Sequence, residues 1–273
     1  MTVAAKHSVA RDFGEAARSY DDAARLQRHM GQALLAREGA PTVAGVRQVL
    51  DLGCGTGQFS AALANCYPGS AQLGLDLSPA MVAYAQARQR GAEPVDGSRN
   101  NPAMRWLVAD AEQLPLADAS VDRIFSNLMI QWCADPRPVL QECLRVLRPG
   151  GVLLCSSLLQ GTLRELEAAW QRADPGRPHI NRFESAEVFA RQVKDACPSA
   201  EVLVETVRLR YRSPLALLQE LKALGARYKG QGRRRTATAP GRLRAMCRHY
   251  PRTPRGDVLA SYEAGYIICR KPA

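Results

Sequence analysis

The sequence predicts an α/β fold in which helices cover both faces of a doubly wound, mostly parallel sheet of seven strands. Short apolar runs alternate with helical segments between residues 46 and 159, which is typical of parallel strands joined by crossover helices. The first run, 46–53, stops at a cluster of glycines, as a buried strand does before a ligand-binding turn. These two observations indicate a Rossmann-like architecture.

Seven short runs have the composition of strands. They lie at 46–53, 72–77, 105–110, 121–127, 151–159, 201–211 and 265–271. Helices are expected between them, and Ser78 with Pro79 gives one an N-cap and a first helical residue. Segment 91–104 is polar and predicts a surface loop.

The whole chain, residues 1–273, is predicted to form one domain. Its core sheet would span about 46–211 and 262–271. Residues 9–38 are expected to form one helix that covers the sheet, with Phe13 and Tyr20 on its helical repeat. Residues 213–260 are expected to form a basic helical lid, inserted between the last two strands over the carboxyl edge of the sheet.

Positive charge is concentrated in the predicted lid. The chain has a formal net charge of +11. Residues 213–260 contain eleven Lys or Arg against only Glu220 and Asp257, so this segment accounts for +9 while the rest is close to neutral. One basic element on a neutral body predicts an acidic partner that docks at one place. A solvated basic loop is the alternative.

Composition favours a globular protein of the cytoplasm. Hydrophobic residues make up 46% of the chain and charged residues 23%, which is ordinary for such proteins. We expect no membrane span and no secretory signal, because no apolar run has the necessary length or position. The eight cysteines are scattered without a CxxC pair, and buried reduced thiols are expected.

A glycine-rich turn, DLGCGTG at 51–57, follows the first strand. Its G-x-G-x-G spacing differs from the dinucleotide fingerprint, which would need a glycine where the chain has Gln58. Asp51 would repel a pyrophosphate, but it suits the cationic ammonium and sulfonium groups of S-adenosylmethionine. The start of the next helix can face the carboxylate of that ligand. The turn therefore predicts an S-adenosylmethionine site.

Groups at three further strand ends are expected to complete this site. Asp76 ends the second strand, where an acid can bind ribose hydroxyls, and Asp110 ends the third, where it can meet the adenine amino group. Each acid alone can be a turn former, so the combination carries the prediction. The predicted cofactor-binding residues are Asp51, Gly53, Cys54, Gly55, Gly57, Asp76, Leu77, Asp110, Ala111, Asn127 and Leu128.

Four longer segments are more particular: FGEAARSYDDAARLQRHMGQALL, FSNLMIQWCADP, LQGTLRELEAAWQRADPGRPHINRF and LKALGARYKGQGR. They resemble the malonyl-acyl-carrier-protein O-methyltransferases of biotin synthesis. The resemblance extends from about Val9 to the C-terminal strand. It implies methyl transfer from S-adenosylmethionine, with S-adenosylhomocysteine as by-product, to the free carboxylate of a malonyl thioester on acyl carrier protein or, less well, on coenzyme A. The ester leads to the pimeloyl precursor of biotin.

The chemistry of this substrate needs no general base. A malonyl carboxylate has a pKa of roughly 4 and is already ionised at neutral pH. The sequence shows no Ser-His-Asp set, no metal-ligand cluster and no activated cysteine pattern, so we expect no metal. The enzyme then has to align the carboxylate with the methyl group and exclude water.

Seven residues are candidates for the acceptor site. The predicted catalytic residues are Tyr20, Gln131, Trp132 and Arg182, and the predicted substrate-binding residues are His179, Asn181 and Lys222. Arg182 is favoured for the carboxylate because a planar guanidinium matches it. Alternatives stay open: Tyr20 as a core aromatic, His179 and Asn181 as loop-capping groups, and Lys222 facing the carrier.

Carrier docking is expected on the lid, because acyl carrier proteins are acidic. The candidate docking residues are Arg227, Lys229, Arg233, Arg234, Arg235, Arg242, Arg244 and Arg248. Three rival functions are considered. A nucleic-acid methyltransferase is disfavoured because residues 229–248 contain no aromatic side chain for base stacking. A methyltransferase for a free small acid or a quinone precursor would not need such a lid, and a non-catalytic cofactor sensor would not need an acceptor pocket.

Overall fold

Seven strands form one mixed sheet in the computed structural model, which describes residues 3–38, 45–91, 104–226 and 238–272. The strands are β1 Gln48–Leu52, β2 Ala71–Asp76, β3 Arg105–Val108, β4 Val121–Ser126, β5 Leu147–Leu159, β6 Glu201–Tyr211 and β7 Val258–Arg270. Their order is β3-β2-β1-β4-β5-β7-β6. Strands β1 to β5 pair in parallel, and β7 is antiparallel to both β5 and β6. The predicted fold class is confirmed.

The strand order places a crevice at the carboxyl ends of β1 and β4. From β1 the chain builds the sheet outward to β2 and β3, and then returns to add β4 on the other side. The crossover helices leave in opposite directions at this point, so their starts separate and open a ligand-sized space. The predicted glycine turn follows β1 and therefore lies at this crevice.

Nine α-helices flank the sheet within the described ranges. They are α1 Val3–Ala23, α2 Arg25–Arg37, α3 Ser60–Cys66, α4 Pro79–Gly91, α5 Arg137–Val146, α6 Arg164–Ala173, α7 Ala186–Ala196, α8 Pro214–Ala223 and α9 Pro240–His249, with a 3₁₀ turn at Ile130–Trp132. Serine caps fix several starts: the hydroxyl of Ser213 accepts from the Ala216 amide at 3.2 Å, and that of Ser78 from the Met81 amide at 3.4 Å.

Two apolar clusters, one on each face of the sheet, form the core. On one face, Met30 and Leu34 of α2 and Trp170 of α6 pack with the inner residues of β7. On the other face, Val139 of α5 and Phe189 of α7 pack on β4 and β5. Burial of these amphipathic helix faces is the main force that holds the layers together.

The predicted single helix at 9–38 is wrong, because the chain forms two helices that meet at Ala24. This residue has φ −83° and ψ 46°, which interrupts the helix, and its side chain is fully buried. Ala24 and Ala23 pack against Leu224 at the end of α8. This tertiary contact redirects α2, and an alanine-rich sequence gives no local sign of such a break.

Strand β7 is longer than predicted and begins inside the predicted lid. It pairs with β6 over the full length of that strand, from Glu201 opposite Ile268 to Tyr211 opposite Val258. Residues 258–260, which were predicted to belong to the lid, are therefore part of the sheet. Of the polar loop predicted at 91–104, residues 92–103 lie outside the described residues.

The expectation of reduced cysteines is wrong for one pair. Cys197, after α7, forms a disulfide with Cys269 of β7. The two lie 72 positions apart in sequence, and only the packing of α7 beside the outer strands brings them together. The other six cysteines are free. Within the described part of the chain, no helix has the length and apolarity needed to cross a membrane.

Candidate active site

Two adjoining cavities open at the carboxyl ends of the central strands. The glycine-loop cavity is lined by groups that follow β1, β2, β3 and β4, including Gly53, Gly55, Asp76, Leu77, Asp110, Ala111 and Asn127. The large cavity, of about 310 Å³, is lined by residues of α1, α6 and α8 and of the loop before α7. Four residues line both cavities: Phe13, Tyr20, Leu128 and Trp132. We call these four the shared wall.

The glycine turn brings main chain to the glycine-loop cavity at Gly55. This residue has φ +53°, and a side chain there would point into open space. Its amide donates to a carboxylate oxygen of Asp76 at 2.9 Å. At Gly57 a side chain is excluded by packing, because a Cβ atom there would lie 2.4 Å from the ring of Trp106. Gly57 and Cys54 are not among the residues that line this cavity.

Two carboxyl groups lie close together at this edge of the sheet. Asp51 is only 3% exposed and lies behind the residues that line the cavity. Its burial, together with the nearby charge of Asp76, raises the pKa of Asp51 to about 8. Burial also raises the pKa of Asp76, although the amides of Ser78, Gly55 and Leu77 counteract this. A cation in the cavity would stabilise both carboxylates.

Lys6 of α1 closes the far end of the glycine-loop cavity. Its ammonium lies 2.6 Å from Asp110 and 2.7 Å from Glu112. Burial raises the pKa of Asp110, but the hydrogen bonds from Lys6 and from the Glu112 amide outweigh it and lower the pKa overall. The carboxylate predicted to meet adenine is thus already paired with a lysine. Lys6 was not predicted, because the expected helix began only at residue 9.

The end of β4 is fixed in an uncommon backbone conformation. Leu128 has φ +55°, which non-glycine residues rarely adopt. Ser156 stabilises it, since its hydroxyl accepts from the Leu128 amide at 3.0 Å and donates to the side-chain oxygen of Asn127 at 2.7 Å. The amide nitrogen of Asn127 donates in turn to the carbonyl of Gln27 at 2.9 Å. Leu128 is thereby held on the shared wall.

The shared wall is largely aromatic, with one hydroxyl. Phe13 lies edge-on to both Tyr20 and Trp132, with ring centroids 6.3 Å and 5.2 Å apart. Burial raises the pKa of the Tyr20 hydroxyl well above its usual range, and the charges of Asp76 and Asp21 add to this. The hydroxyl therefore stays protonated and can donate a hydrogen bond to an anion. Phe13 lies two helical turns before Tyr20, a predicted catalytic residue. This spacing indicates that the two share one face of the helix, but Phe13 was predicted only as a packing residue.

Gln131 and Gln27 supply buried oxygen atoms to the large cavity. The amide nitrogen of Gln131 donates to the carbonyl of Leu128 at 2.7 Å, which fixes the orientation of its side chain. Among the described residues, neither Gln131 Oε1 nor Gln27 Oε1 has a hydrogen-bond partner, although both atoms are buried. Both residues line the large cavity. Each side chain therefore has an acceptor atom without a partner beside this cavity.

The other predicted substrate-binding residues also line the large cavity. His179 stacks on Trp170 with ring centroids 3.9 Å apart, and its Nε2 lies 2.9 Å from Asp174. Asn181 follows on the same loop. Lys222 is exposed and lines both the large cavity and a surface groove between α1 and α8, so it stands at the mouth.

Arg182, which was predicted to bind the carboxylate, is not among the residues that line the large cavity. Its side chain is exposed and borders a separate small pocket with Glu184 and Gln192. The neighbours Asn181 and Phe183 do line the large cavity. In this non-helical segment consecutive side chains point to different sides, and sequence alone does not reveal which side faces the ligand.

The predicted docking arginines are only partly described. Arg244 and Arg248 are exposed on α9. Arg242 is engaged locally, with its Nε 3.4 Å from Asp174. Residues 227–237, and with them Arg227, Lys229, Arg233, Arg234 and Arg235, lie outside the described residues. In the ranges that the structure covers, no three His, Cys, Asp or Glu side chains are grouped to hold a metal ion.

Comparisons with known proteins relate the chain to methyltransferases. A family profile described as "Methyltransferase domain" matches residues 50–155. The malonyl-[acyl-carrier protein] O-methyltransferase of Hahella chejuensis is 40% identical over 96% of this chain and 90% of its own length. The biotin biosynthesis bifunctional protein BioHC of Cellvibrio japonicus is 40% identical over 99% of this chain and 51% of its own length. The YcgJ structure from Bacillus subtilis aligns with a TM-score of 0.60 at 16% identity, over 90% of this chain and 99% of that one, which shows a common fold.

Proposed function

The chain belongs to the malonyl-[acyl-carrier protein] O-methyltransferase family, and from this we propose that it methylates the free carboxylate of a malonyl thioester carried on acyl carrier protein. The ester would serve the synthesis of a pimeloyl precursor of biotin. The observation that supports this most is the shared wall of Phe13, Tyr20, Leu128 and Trp132. It lets a methyl donor in one cavity meet an acceptor in the other with water excluded.

The glycine-loop cavity has the features that S-adenosylmethionine requires. That cofactor, when bound, supplies the methyl group on a positively charged sulfur. Asp76 offers a carboxylate at the cavity surface, Gly55 leaves main chain open, and the buried Asp51 behind them can ionise when a cation binds. The apolar side chains of Leu77 and Met81 line the same cavity. The residues present therefore fit a cationic nucleoside.

The large cavity can hold an ionised carboxylate without a tight counter-ion. Tyr20 carries a protonated hydroxyl on the shared wall, and Asn181 lines the same space. Among the residues described, no arginine lines this cavity. This favours transfer, because the negative charge on the oxygen disappears as the O–CH₃ bond forms, and a strong cation beside it would stabilise the ground state more than the transition state.

The basic lid provides a docking surface for an acidic carrier. Lys222 stands at the mouth of the large cavity, and Arg244 and Arg248 are exposed on α9. We expect these residues, with the basic residues of 227–235, to steer the carrier and to lose this effect as salt concentration rises.

Methyl transfer can be tested directly by mass spectrometry. The purified protein is incubated with S-adenosylmethionine and malonyl-carrier protein, with acetyl-carrier protein and free malonate as controls. We expect malonyl-carrier protein to gain the mass of one methyl group, which mild base then removes as expected for an ester. Acetyl-carrier protein has no free carboxylate and should gain nothing. Methylation of malonate at equal efficiency would instead support the small-acid alternative, and no methylation of any acceptor would refute the proposal.

A further inference from the structure

Three polar side chains of the large cavity present hydrogen-bond acceptors rather than donors. For Gln131 the assignment is fixed by contact, because its amide nitrogen already donates to the Leu128 carbonyl and its buried Oε1 remains. Gln27 Oε1 is buried in the same way. An unpaired buried carbonyl-type oxygen is destabilising, so these atoms indicate a ligand that donates to them.

His179 presents a third acceptor, because Asp174 fixes its tautomer. A carboxylate only accepts hydrogen bonds, so His179 Nε2, at 2.9 Å from Asp174, carries the hydrogen. In the neutral ring Nδ1 is then a bare acceptor, and among the described residues no protein group bonds to it. Stacking on Trp170, with the two ring planes only 4° apart, holds the imidazole in this orientation.

Asp174 is itself held firmly at the end of α6. Its amide donates to the carbonyl of Trp170 at 2.8 Å, and its second carboxylate oxygen lies 3.4 Å from Arg242 of α9. The residue is only 7% exposed. Asp174 does not line the large cavity, so it would influence a ligand only through His179.

These acceptors do not match the malonyl group. A malonyl thioester offers a carboxylate and a carbonyl, and both groups only accept hydrogen bonds. The N–H donors of a carrier-bound substrate are the two secondary amides of its pantetheine arm, which has to pass through the cavity mouth to bring the malonyl group to the shared wall.

We propose that Gln27, Gln131 and His179 form a subsite for the amide N–H groups of the pantetheine arm, with Asp174 as the positioning residue that keeps His179 Nδ1 an acceptor. The inference rests on the proposed function. It explains why this cavity would prefer a thioester on its natural arm to a free acid, since only the arm brings N–H donors to these acceptors.

A series of small substrates tests the subsite without the carrier. Malonyl-pantetheine has two amides, malonyl-N-acetylcysteamine has one, and malonyl ethyl thioester has none. Each amide removed should raise KM about tenfold while kcat changes little, because the carboxylate and the shared wall are untouched. Equal kcat/KM for malonyl-pantetheine and the ethyl thioester would overturn the proposal. Failure to methylate any of the three would instead count against the proposed function.

Two variants assign the effect to named residues. Gln27→Met removes one acceptor at similar volume. In Asp174→Asn the NH₂ group of the asparagine can turn toward His179 Nε2, which lets the ring hydrogen move to Nδ1. Nδ1 then presents an N–H donor to the amide N–H of the arm and can no longer accept from it. Each should lower kcat/KM for malonyl-pantetheine about tenfold and leave the ethyl thioester within about twofold. Equal losses on both substrates would overturn the assignment, because a merely structural defect acts on both.

Gln192 provides a matched control for these variants. Its Oε1 is also buried without a partner among the described residues, but it borders the small pocket beside Arg182 and not the large cavity. Gln192→Met should therefore leave the whole substrate series unchanged, and a loss equal to that of Gln27→Met would contradict the subsite. The wild-type substrate series decides the matter even if a variant fails to fold.

Discussion

Tyr20 is the residue whose position links the cofactor side to the acceptor side. Its ring lies on the shared wall, and its hydroxyl stays protonated because burial and the charges of Asp76 and Asp21 raise its pKa. A protonated phenol can hold the non-reacting oxygen of a carboxylate without neutralising the nucleophile. The sequence left open whether Tyr20 was a core aromatic; its place on both cavities favours a role at the site.

Replacing Tyr20 by phenylalanine should therefore impair methyl transfer selectively. Loss of one hydrogen bond to a charged group costs ~1.5–3 kcal/mol, so Tyr20→Phe should lower kcat/KM about 10- to 100-fold. Affinity for S-adenosylhomocysteine, measured by calorimetry, should not change. Tyr84→Phe on α4, outside both cavities, is the matched control. Unchanged kinetics in Tyr20→Phe would show that the hydroxyl does not contribute to methyl transfer.

Arg182 leads to the opposite expectation. Its side chain is exposed and lies outside the large cavity. Arg182→Ala should therefore keep kcat/KM within about twofold of the wild type, as most surface substitutions do. Steady-state kinetics with malonyl-carrier protein checks this. A loss of a hundredfold or more in kcat/KM would show that the guanidinium acts at the acceptor site.

The raised pKa of Asp51 leads us to expect that cofactor affinity depends on pH. Its pKa of about 8 in the ligand-free protein means that it holds a proton at neutral pH. Binding a cation favours the ionised form, so S-adenosylmethionine affinity should rise as pH increases from about 6 toward 8, and Asp51→Asn should flatten the profile. The raised pKa also means that the ligand-free fold loses stability over this range, because the unfolded chain releases the proton more readily. Calorimetry across the pH range measures the first effect; a flat wild-type profile would contradict it.

At the scale of elements, α1 covers both cavities. It supplies Lys6 at the far end of the glycine-loop cavity and Phe13 and Tyr20 on the shared wall. The sequence predicted a cover helix, but not that its first turns contact the cofactor side. Periodicity identifies the apolar face of a helix, whereas a single lysine near its start gives no sign of its distant acidic partners, Asp110 and Glu112.

Lys6 should control how firmly α1 closes this cavity. Lys6→Met removes both ion pairs, which are partly buried at 2.6 Å and 2.7 Å. We expect faster amide hydrogen exchange in the first half of α1 and faster dissociation of S-adenosylhomocysteine, by about three- to tenfold. Exchange in α7, which packs on α5 and β6, serves as an internal reference. Identical exchange in α1 of both proteins would show that Lys6 does not hold the helix.

The glycine turn shows how far a motif predicts contacts. Its position after β1 and the contribution of Gly53 and Gly55 to the cavity were predictable, because the spacing of glycines and the preceding acid define the turn. The close approach of Trp106 that excludes a side chain at Gly57 was not predictable, since Trp106 belongs to β3, two strands away in the sheet. Motifs predict which backbone reaches a ligand better than they predict each side-chain contact.

For the molecule as a whole, the sequence predicted the fold class and the seven strands, because the alternating pattern and the turn chemistry are local signals. It did not predict the helix break at Ala24, the early start of β7 or the Cys197–Cys269 disulfide, which all arise from contacts between distant segments. The acceptor site was predictable only in part. The segments that form it could be identified from the sequence, but the direction in which each side chain points could not.

Cofactor and acceptor are expected to occupy the two adjoining cavities at the same time. Calorimetric titration of malonyl-pantetheine into protein saturated with S-adenosylhomocysteine, which cannot donate a methyl group, tests this directly. Malonyl-pantetheine should bind at one site while S-adenosylhomocysteine stays bound. Competitive displacement of S-adenosylhomocysteine by malonyl-pantetheine would contradict it.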